Sequence, residues 1–426
     1  MSGSNLLERR YNVLGKNSPL FYERPVQLVS GEGVWLWDAD GNKYLDGYNN
    51  VPHVGHCHPH VADALCNQAR TLNTHTRYLD ETIVRYGEKL TATFDGDLSR
   101  LHLCCSGTEA NELALRIART CTGNAGVIVS DFAYHGNSKT IAEISSAFPG
   151  PEGVGKDVRV VTVPNLYRLR PGVTEADAAA AYAADVAAAI ESLAADGLKP
   201  AALLVDTIFS CEGLPDVPAG YLEQAVALVR EAGGLYIADE VQPGFGRTGT
   251  GMWGYQQYDV TPDIVTMGKP MGNGHPLAGV VVRPDLLDAF GQQAMYFNTF
   301  GGNPVSCAVG IAVLEVIERE NLMENARVVG DYARDGLREL ANKHDIIGDV
   351  RGPGFFFGAD MVRDRATREP ATEETGAIVN GMRERGVLIS RTGYADNVLK
   401  IRPPMPFSKE NADHLLSALD DTLSAL

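Results

Sequence analysis

The sequence predicts an α/β fold: a large domain on a mostly parallel central sheet, with a smaller α+β domain formed by both chain ends. Three observations lead there. At 426 residues the chain exceeds one ordinary core, since domains usually hold about 100–150 residues. Between residues 100 and 283, short β-branched runs alternate with helical segments, as strands joined by crossover helices do. The first sixty residues and the last hundred read instead as hairpins and glycine-rich turns. The expected divisions are 1–60 and 326–426 for the smaller domain and 61–325 for the large one.

In chain order, Gly33–Asp46 is expected as a hairpin turning at Asp40-Gly41-Asn42. Ser106-Gly107-Thr108-Glu109-Ala110-Asn111 opens a long amphipathic helix with Leu113, Leu115 and Ile117 at its apolar positions. Strands are expected at Val127–Ser130, Val158–Val163, Ala201–Asp206, Gly234–Asp239, Ile264–Met267 and Leu277–Val282. Several are continuously apolar, as strands buried on both faces should be. Ala176–Ala195 carries Tyr182, Val186, Ile190 and Leu193 at helical spacing, and Gly197 and Pro200 end it, so it reads as a covering helix. Asp349–Val362, rich in glycine and phenylalanine, and the strand Val398–Ile401 belong to the smaller domain, followed by a helix that Ser408 caps.

Composition narrows the function. A formal charge of −17 disfavours nucleic acid and anionic lipid, and any anionic substrate must be met by a few placed cations. No apolar stretch is expected to approach the roughly 20 residues that span a bilayer. Met1 to Arg10 lacks the apolar core of a secretory signal, and the seven cysteines show no metal-ligand spacing. They are read as reduced thiols of a cytoplasmic protein. His53, His56, His58 and His60 crowd around Cys57, yet no acidic or second cysteine partner completes a ligand pattern, so no metal is expected.

Two residues carry most of the chemistry. Lys269 follows the apolar run Ile264–Met267, and Asp239 ends the run Leu235–Ala238. An interior lysine has a depressed pKa, and its amine can condense with an aldehyde. A carboxylate at a strand end can keep a pyridine nitrogen protonated, which makes the ring an electron sink. Together they fit pyridoxal phosphate. The helix opening at Ser106, Gly107 and Thr108 offers bare amides and hydroxyls to the cofactor phosphate, although Ser106 can equally be a simple cap. Tyr134, after the strand Val127–Ser130, lies where a ring can stack on the pyridine, with packing as the plainer alternative. Val241 would pack on the opposite face, and Gln242 would bond the ring hydroxyl.

These motifs, with Tyr134-His135-Gly136, Gly244-Phe245-Gly246-Arg247-Thr248-Gly249 and Thr299-Phe300-Gly301-Gly302-Asn303-Pro304, resemble the class III pyridoxal-phosphate aminotransferases of fold type I from about Gly31 onward. The resemblance implies cofactor contacts at Ser106, Gly107, Thr108, Tyr134, His135, Asp239, Val241, Gln242 and Lys269. It also implies a homodimer with shared active sites, in which Thr299 reaches the neighbour's cofactor phosphate.

Two departures stand out. Lys400 occupies the position where carboxylate-binding members carry an arginine, and a lysine lacks the planar fork that grips a carboxylate. Asp206–Glu212 replaces a Glu-Pro segment followed by glycines. Asn49–Pro59, Asn73–Tyr78 and Met267–Pro276 look like a narrower branch, the ethanolamine-phosphate phospho-lyases. The expected reaction is β-elimination of phosphate from a small phosphorylated amine, with Lys269 as base, Arg77 and Lys400 meeting the phosphate, and Asn50 and His53 lining the pocket. The alternative is an ω-aminotransferase passing an amino group to a keto acid.

Overall fold

Seven strands form the central sheet, and its inner strands are apolar toward both faces. A computed structural model of the chain describes residues 3–148, 150–151 and 153–426. The first three strands are β1 (Leu28–Glu32), β2 (Trp35–Asp38) and β3 (Lys43–Asp46). The central sheet follows, with β4 (Arg100–Cys104), β5 (Gly126–Ser130), β6 (Val158–Val161), β7 (Pro200–Asp206), β8 (Leu235–Asp239), β9 (Ile264–Met267) and β10 (Ala278–Val282). Its order is β4-β10-β9-β8-β7-β5-β6. Every residue of β5, β7, β9 and β10 is buried.

Alternate residues feed two cores, as the two-residue period of a strand requires. Ile128, Leu203, Val205, Tyr236 and Val265 pack on one face with Tyr182, Val186, Leu222 and Val226 of the helices Ala178–Ala195 and Tyr221–Glu231. Val127, Val129, Leu204, Ile237 and Val280 pack on the other with Leu113, Ala114 and Ile117 of the helix Gly107–Thr122. Ala178–Ala195 is long and apolar enough, by length and composition alone, to cross a membrane, which corrects the expectation that no such stretch exists. In the fold its Tyr182, Val186 and Leu193 are buried, so it is the covering helix the spacing predicts.

The sheet departs from the expectation in two ways. The run Leu277–Val282 becomes β10, which lies antiparallel to both β9 and β4. The strand β4 was not anticipated, because it sits at the sheet edge and its first residue is exposed, so its apolar signal is weak.

Toward the carboxyl terminus come β11 (Ile347–Arg351), β12 (Phe357–Asp364), β13 (Glu369–Pro370), β14 (Val387–Leu388), β15 (Ser390–Thr392) and β16 (Val398–Ile401). β14 pairs in parallel with β3, joining the two chain ends in one sheet. β16 lies between β12 and β15. Ser408 caps the last helix, its side chain accepting from Asn411 N.

The buried Arg247 ties these parts together, donating to the carbonyls of Phe355 (3.0 Å) and Pro403 (2.7 Å) and meeting His53 Nδ1 at 3.1 Å. Asn273, just past Lys269, accepts from Val54 N and donates to Gly55 O, each at 2.9 Å. The amino-terminal loop is thereby held against the lysine.

Candidate active site

Ser130, Asp206, Asp239 and Met267 end β5, β7, β8 and β9, four parallel neighbours, so all four chain exits lie on one carboxyl edge. Ligands of open α/β sheets bind at that edge. A cavity of about 230 Å³ opens there, lined by Gly107, Thr108, Tyr134, His135, Gly136, Asp206, Asp239, Val241, Gln242 and Lys269.

Asp239 is held from both oxygens. Oδ1 accepts from Val241 N at 3.0 Å, while Oδ2 accepts from Asn111 Nδ2 at 3.0 Å and from His135 Nδ1 at 2.7 Å. Thr266 Oγ1 donates to Asn111 Oδ1 at 2.7 Å, which fixes the amide with its nitrogen toward the carboxylate. His135 donates from Nδ1, and its buried Nε2 has no partner among the described residues. A histidine and an amide, rather than an arginine, are therefore the side-chain partners of Asp239.

Lys269 starts a single turn, Lys269–Gly272, between the enclosed Met267 and Pro270. It is open only in part, and burial pushes its pKa down, with Arg402 adding to the effect and Asp239 opposing it. A lysine poised this way releases its proton readily.

The helix Gly107–Thr122 opens with a capping box: Ser106 Oγ accepts from Glu109 N, and Glu109 Oε2 accepts from Cys105 N and Ser106 N. The hydroxyl of Ser106 therefore serves as a cap. The N–H groups of Gly107 and Thr108 donate to nothing among the described residues, which leaves two aligned donors at a positive helix end. The cradle is tight. A Cβ on Gly107 would meet Val241 at 3.1 Å, and one on Gly136 would meet Thr108 Oγ1 at 2.4 Å. Amine, carboxylate and free amide donors fit the aldehyde, ring nitrogen and phosphate of pyridoxal phosphate.

Gln242 lines the cavity, where Nε2 donates to Ser210 Oγ and Oε1 accepts from Arg402. Ser210 Oγ in turn donates to Asp206, whose pKa is raised by burial and then by Asp239 beside it in register.

Lys400 lies on the interior strand β16, so it is not a strand-edge charge. It is buried, and among the described residues its ammonium has neither hydrogen-bond acceptor nor carboxylate within 4 Å. Burial and Arg402 push its pKa down to about 8. Arg402, two residues further on the same face, was missed from the sequence. Its Nε donates to Tyr48 O at 2.8 Å, and its guanidinium lies 5.5 Å from the Phe356 ring centre, with Lys400 Nζ at 5.4 Å from the same centre. The two-residue strand period beside Lys400 was the signal that identifies it.

Asn50 is buried with Nδ2 unpartnered among the described residues. His53 has both ring nitrogens committed, Nε2 to Phe245 O at 2.7 Å and Nδ1 to Arg247, so none is left for a substrate. Burial and Arg247 hold its pKa well below the usual histidine range. Arg77 and Thr299 do not line this cavity. Both are exposed, on two loops that meet where the Arg77 guanidinium sits 3.9 Å over Phe297. His56, His58 and His60 pair separately with Asp46, Glu320 and Glu315.

The model of the family described as Aminotransferase class-III matches residues 21–423. The chain belongs to the class III aminotransferases. Pyridoxal phosphate is the cofactor of this family, and the chain is an enzyme of the pyridoxal-phosphate-dependent fold type I. Among solved class III structures, it is similar to a phospholyase from Arthrobacter in complex with phosphoethanolamine, at 54% identity and a TM-score of 0.95 over 99% of this chain and 100% of that one. It is 41% identical to the alanine–glyoxylate aminotransferase 2-like protein of Drosophila melanogaster, over 100% of this chain and 88% of that protein. It is 38% identical to ethanolamine-phosphate phospho-lyase homolog 1 of Caenorhabditis elegans, over 100% of this chain and 94% of that protein.

Proposed function

We propose that this class III enzyme is a phospho-lyase that eliminates phosphate from O-phosphoethanolamine, or a closely related phosphorylated amine, giving acetaldehyde, ammonia and phosphate. One observation carries the reading: Lys400 is a buried cation without an acid partner, beside Arg402 and close enough to Lys269 for their charges to interact. A buried charge without compensation is strongly unfavourable, so a site built this way calls for an anionic ligand. A phosphate carrying about −1.5 to −2 charges supplies it. The similarity to the Arthrobacter phospholyase supports the same substrate class.

Bound pyridoxal phosphate supplies an electron sink for the pair left when the C–H bond beside nitrogen breaks. Lys269 takes that proton. Asp239, held in place by Asn111 and His135, would keep the ring nitrogen protonated. Lys400 and Arg402 stabilise charge as phosphate departs.

Pairing of two copies completes the reading. Tyr78, Leu79, Met295 and Phe300 are large apolar residues exposed on the loops that carry Arg77 and Thr299. A second copy covering them would bring Arg77 toward the neighbour's substrate and Thr299 toward its cofactor phosphate.

The test is phosphate release from phosphoethanolamine with no keto acid present, in which equimolar phosphate, acetaldehyde and ammonia are expected. The second reading, an ω-aminotransferase, draws on the similarity to the Drosophila aminotransferase-like protein. It prevails if phosphate stays in the substrate while the amino group passes to pyruvate.

A further inference from the structure

Phosphate elimination, on the phospho-lyase reading, needs more than a positive charge. When the C–O bond of a phosphate monoester dianion breaks, its electron pair stays on the bridging oxygen. Without a proton there, the leaving group is a trianion too basic to form near neutral pH. A positioned acid is required.

The groups whose charges reach Lys269 and Lys400, and the tyrosine lining the cavity, differ in what they can give. Lys269 is engaged in taking the proton from carbon. A guanidinium is a poor proton donor, and that of Arg402 is already bonded to Tyr48 O and Gln242. Asp206 accepts from Ile208 N, Ser210 N and Ser210 Oγ, the bonding pattern of an ionised carboxylate. Burial makes the Tyr134 hydroxyl a weaker acid than usual. Lys400 remains. Its side chain is buried, its ammonium is bonded to no described acceptor, and it shares the Phe356 ring with Arg402. The charges of Arg402, Lys269 and Asp206 and the thiol of Cys211 surround it, and a pKa pushed down to about 8 makes it a ready donor.

We propose that Lys400 is the general acid of the elimination, its ammonium giving a proton to the bridging oxygen as the C–O bond breaks. The balance closes within the site. Lys269 gains the carbon-bound proton, the C–H pair becomes the new carbon–carbon π bond, the C–O pair leaves with oxygen, and hydrogen phosphate departs. Lys269 is then charged and Lys400 neutral, and one proton passed from the former to the latter resets both.

The experiment compares two leaving groups in the holoenzyme, phosphoethanolamine against ethanolamine O-sulfate, because sulfate leaves as a stable dianion without protonation. Lys400→Arg keeps the charge and removes the acid. It is expected to lose about 10²–10⁴-fold on phosphate and less than about 10-fold on sulfate. Binding of 3-aminopropylphosphonate, measured by calorimetry, should stay within about 3-fold of the parent and fall in Lys400→Met. The unsubstituted enzyme offers a second measurement. Its phosphate-to-sulfate rate ratio should fall as pH rises through about 8, where the substrate phosphate, with a second pKa near about 6, is already dianionic. A flat ratio, or equal losses on both substrates in Lys400→Arg, overturns the assignment while leaving the lyase reading intact. If the parent enzyme releases no phosphate from phosphoethanolamine, both ideas fall together.

Discussion

On the proposed role, a carboxylate facing a ring nitrogen is useful only if it stays in place, and Asn111, His135 and Val241 N fix Asp239 there. Removing one such bond to a buried charged group costs about 1–3 kcal/mol. Asn111→Ala is therefore expected to lower kcat about tenfold or more with KM little changed, measured by steady-state kinetics; a change confined to KM would contradict the positioning role. Lys400 gives a stability prediction. Its folded pKa of about 8 lies below the ordinary 10.5, so folding loses stability as pH falls from about 10.5 to 8 and the ammonium must be carried uncompensated. Millimolar inorganic phosphate should raise the holoenzyme's Tm more at pH 7 than at pH 10, and Lys400→Met should remove the difference. Lys269 and Asp239 were legible because apolar runs lead straight into them. Arg402, Asp206 and Asn111 were not, since their importance comes from neighbours distant in sequence, and spacing alone does not reveal that both nitrogens of His53 are taken.

At the scale of elements, the strand ends set the chemistry and the loops beyond them set the protonation. Glu212, just after β7, is buried with one oxygen accepting from Ser130 Oγ at 2.6 Å and the other unpartnered among the described residues. Burial, then Asp206, raises its pKa to about 8. Because the folded value exceeds the ordinary 4.5, the stability it contributes is present below pH 4.5 and is lost as pH rises to about 8. Glu212→Gln should thus raise stability at pH 9 by on the order of a few kcal/mol, read as a higher Tm, and leave Tm nearly unchanged at pH 4.5. Equal shifts at both pH values would contradict this. The helix Gly107–Thr122 offers a second test. Ser106→Ala should cost about 1 kcal/mol of stability with modest loss of cofactor, whereas Gly107→Ala should loosen cofactor binding more strongly, because its Cβ presses on Val241. Absorbance titration of cofactor separates the two. The helix and its cap were readable from Ser106 and Glu109, but the edge strand β4 and the antiparallel run of β10 were not, because hydrophobic pattern carries no strand direction.

At the scale of the whole molecule, the sheet that joins β1, β2 and β3 to β14 brings residues of the first fifty beside residues near 387. Hairpin signals and glycine-rich turns indicated that both ends fold into one smaller domain; they did not give the pairing. The exposed apolar loops supply the corresponding prediction. Phe300→Asp should shift the protein toward monomers in size-exclusion chromatography and lower lyase turnover, with circular dichroism unchanged. A dimer of unaltered activity would remove the interface from the proposal.

Arg402 clamps Tyr48 from 354 positions away in sequence, while its own N–H donates to Gly47 O. A nascent chain emerging from the ribosome can shape its sheet and cofactor cradle early, yet it has no wall for its substrate until that arginine has been translated and threaded back. Closing so long a loop carries an entropic cost before any contact repays it, which makes assembly of the anion pocket a late event in synthesis. Partly made chains would then carry the cradle around Lys269 and Asp239 while lacking the clamp on Tyr48.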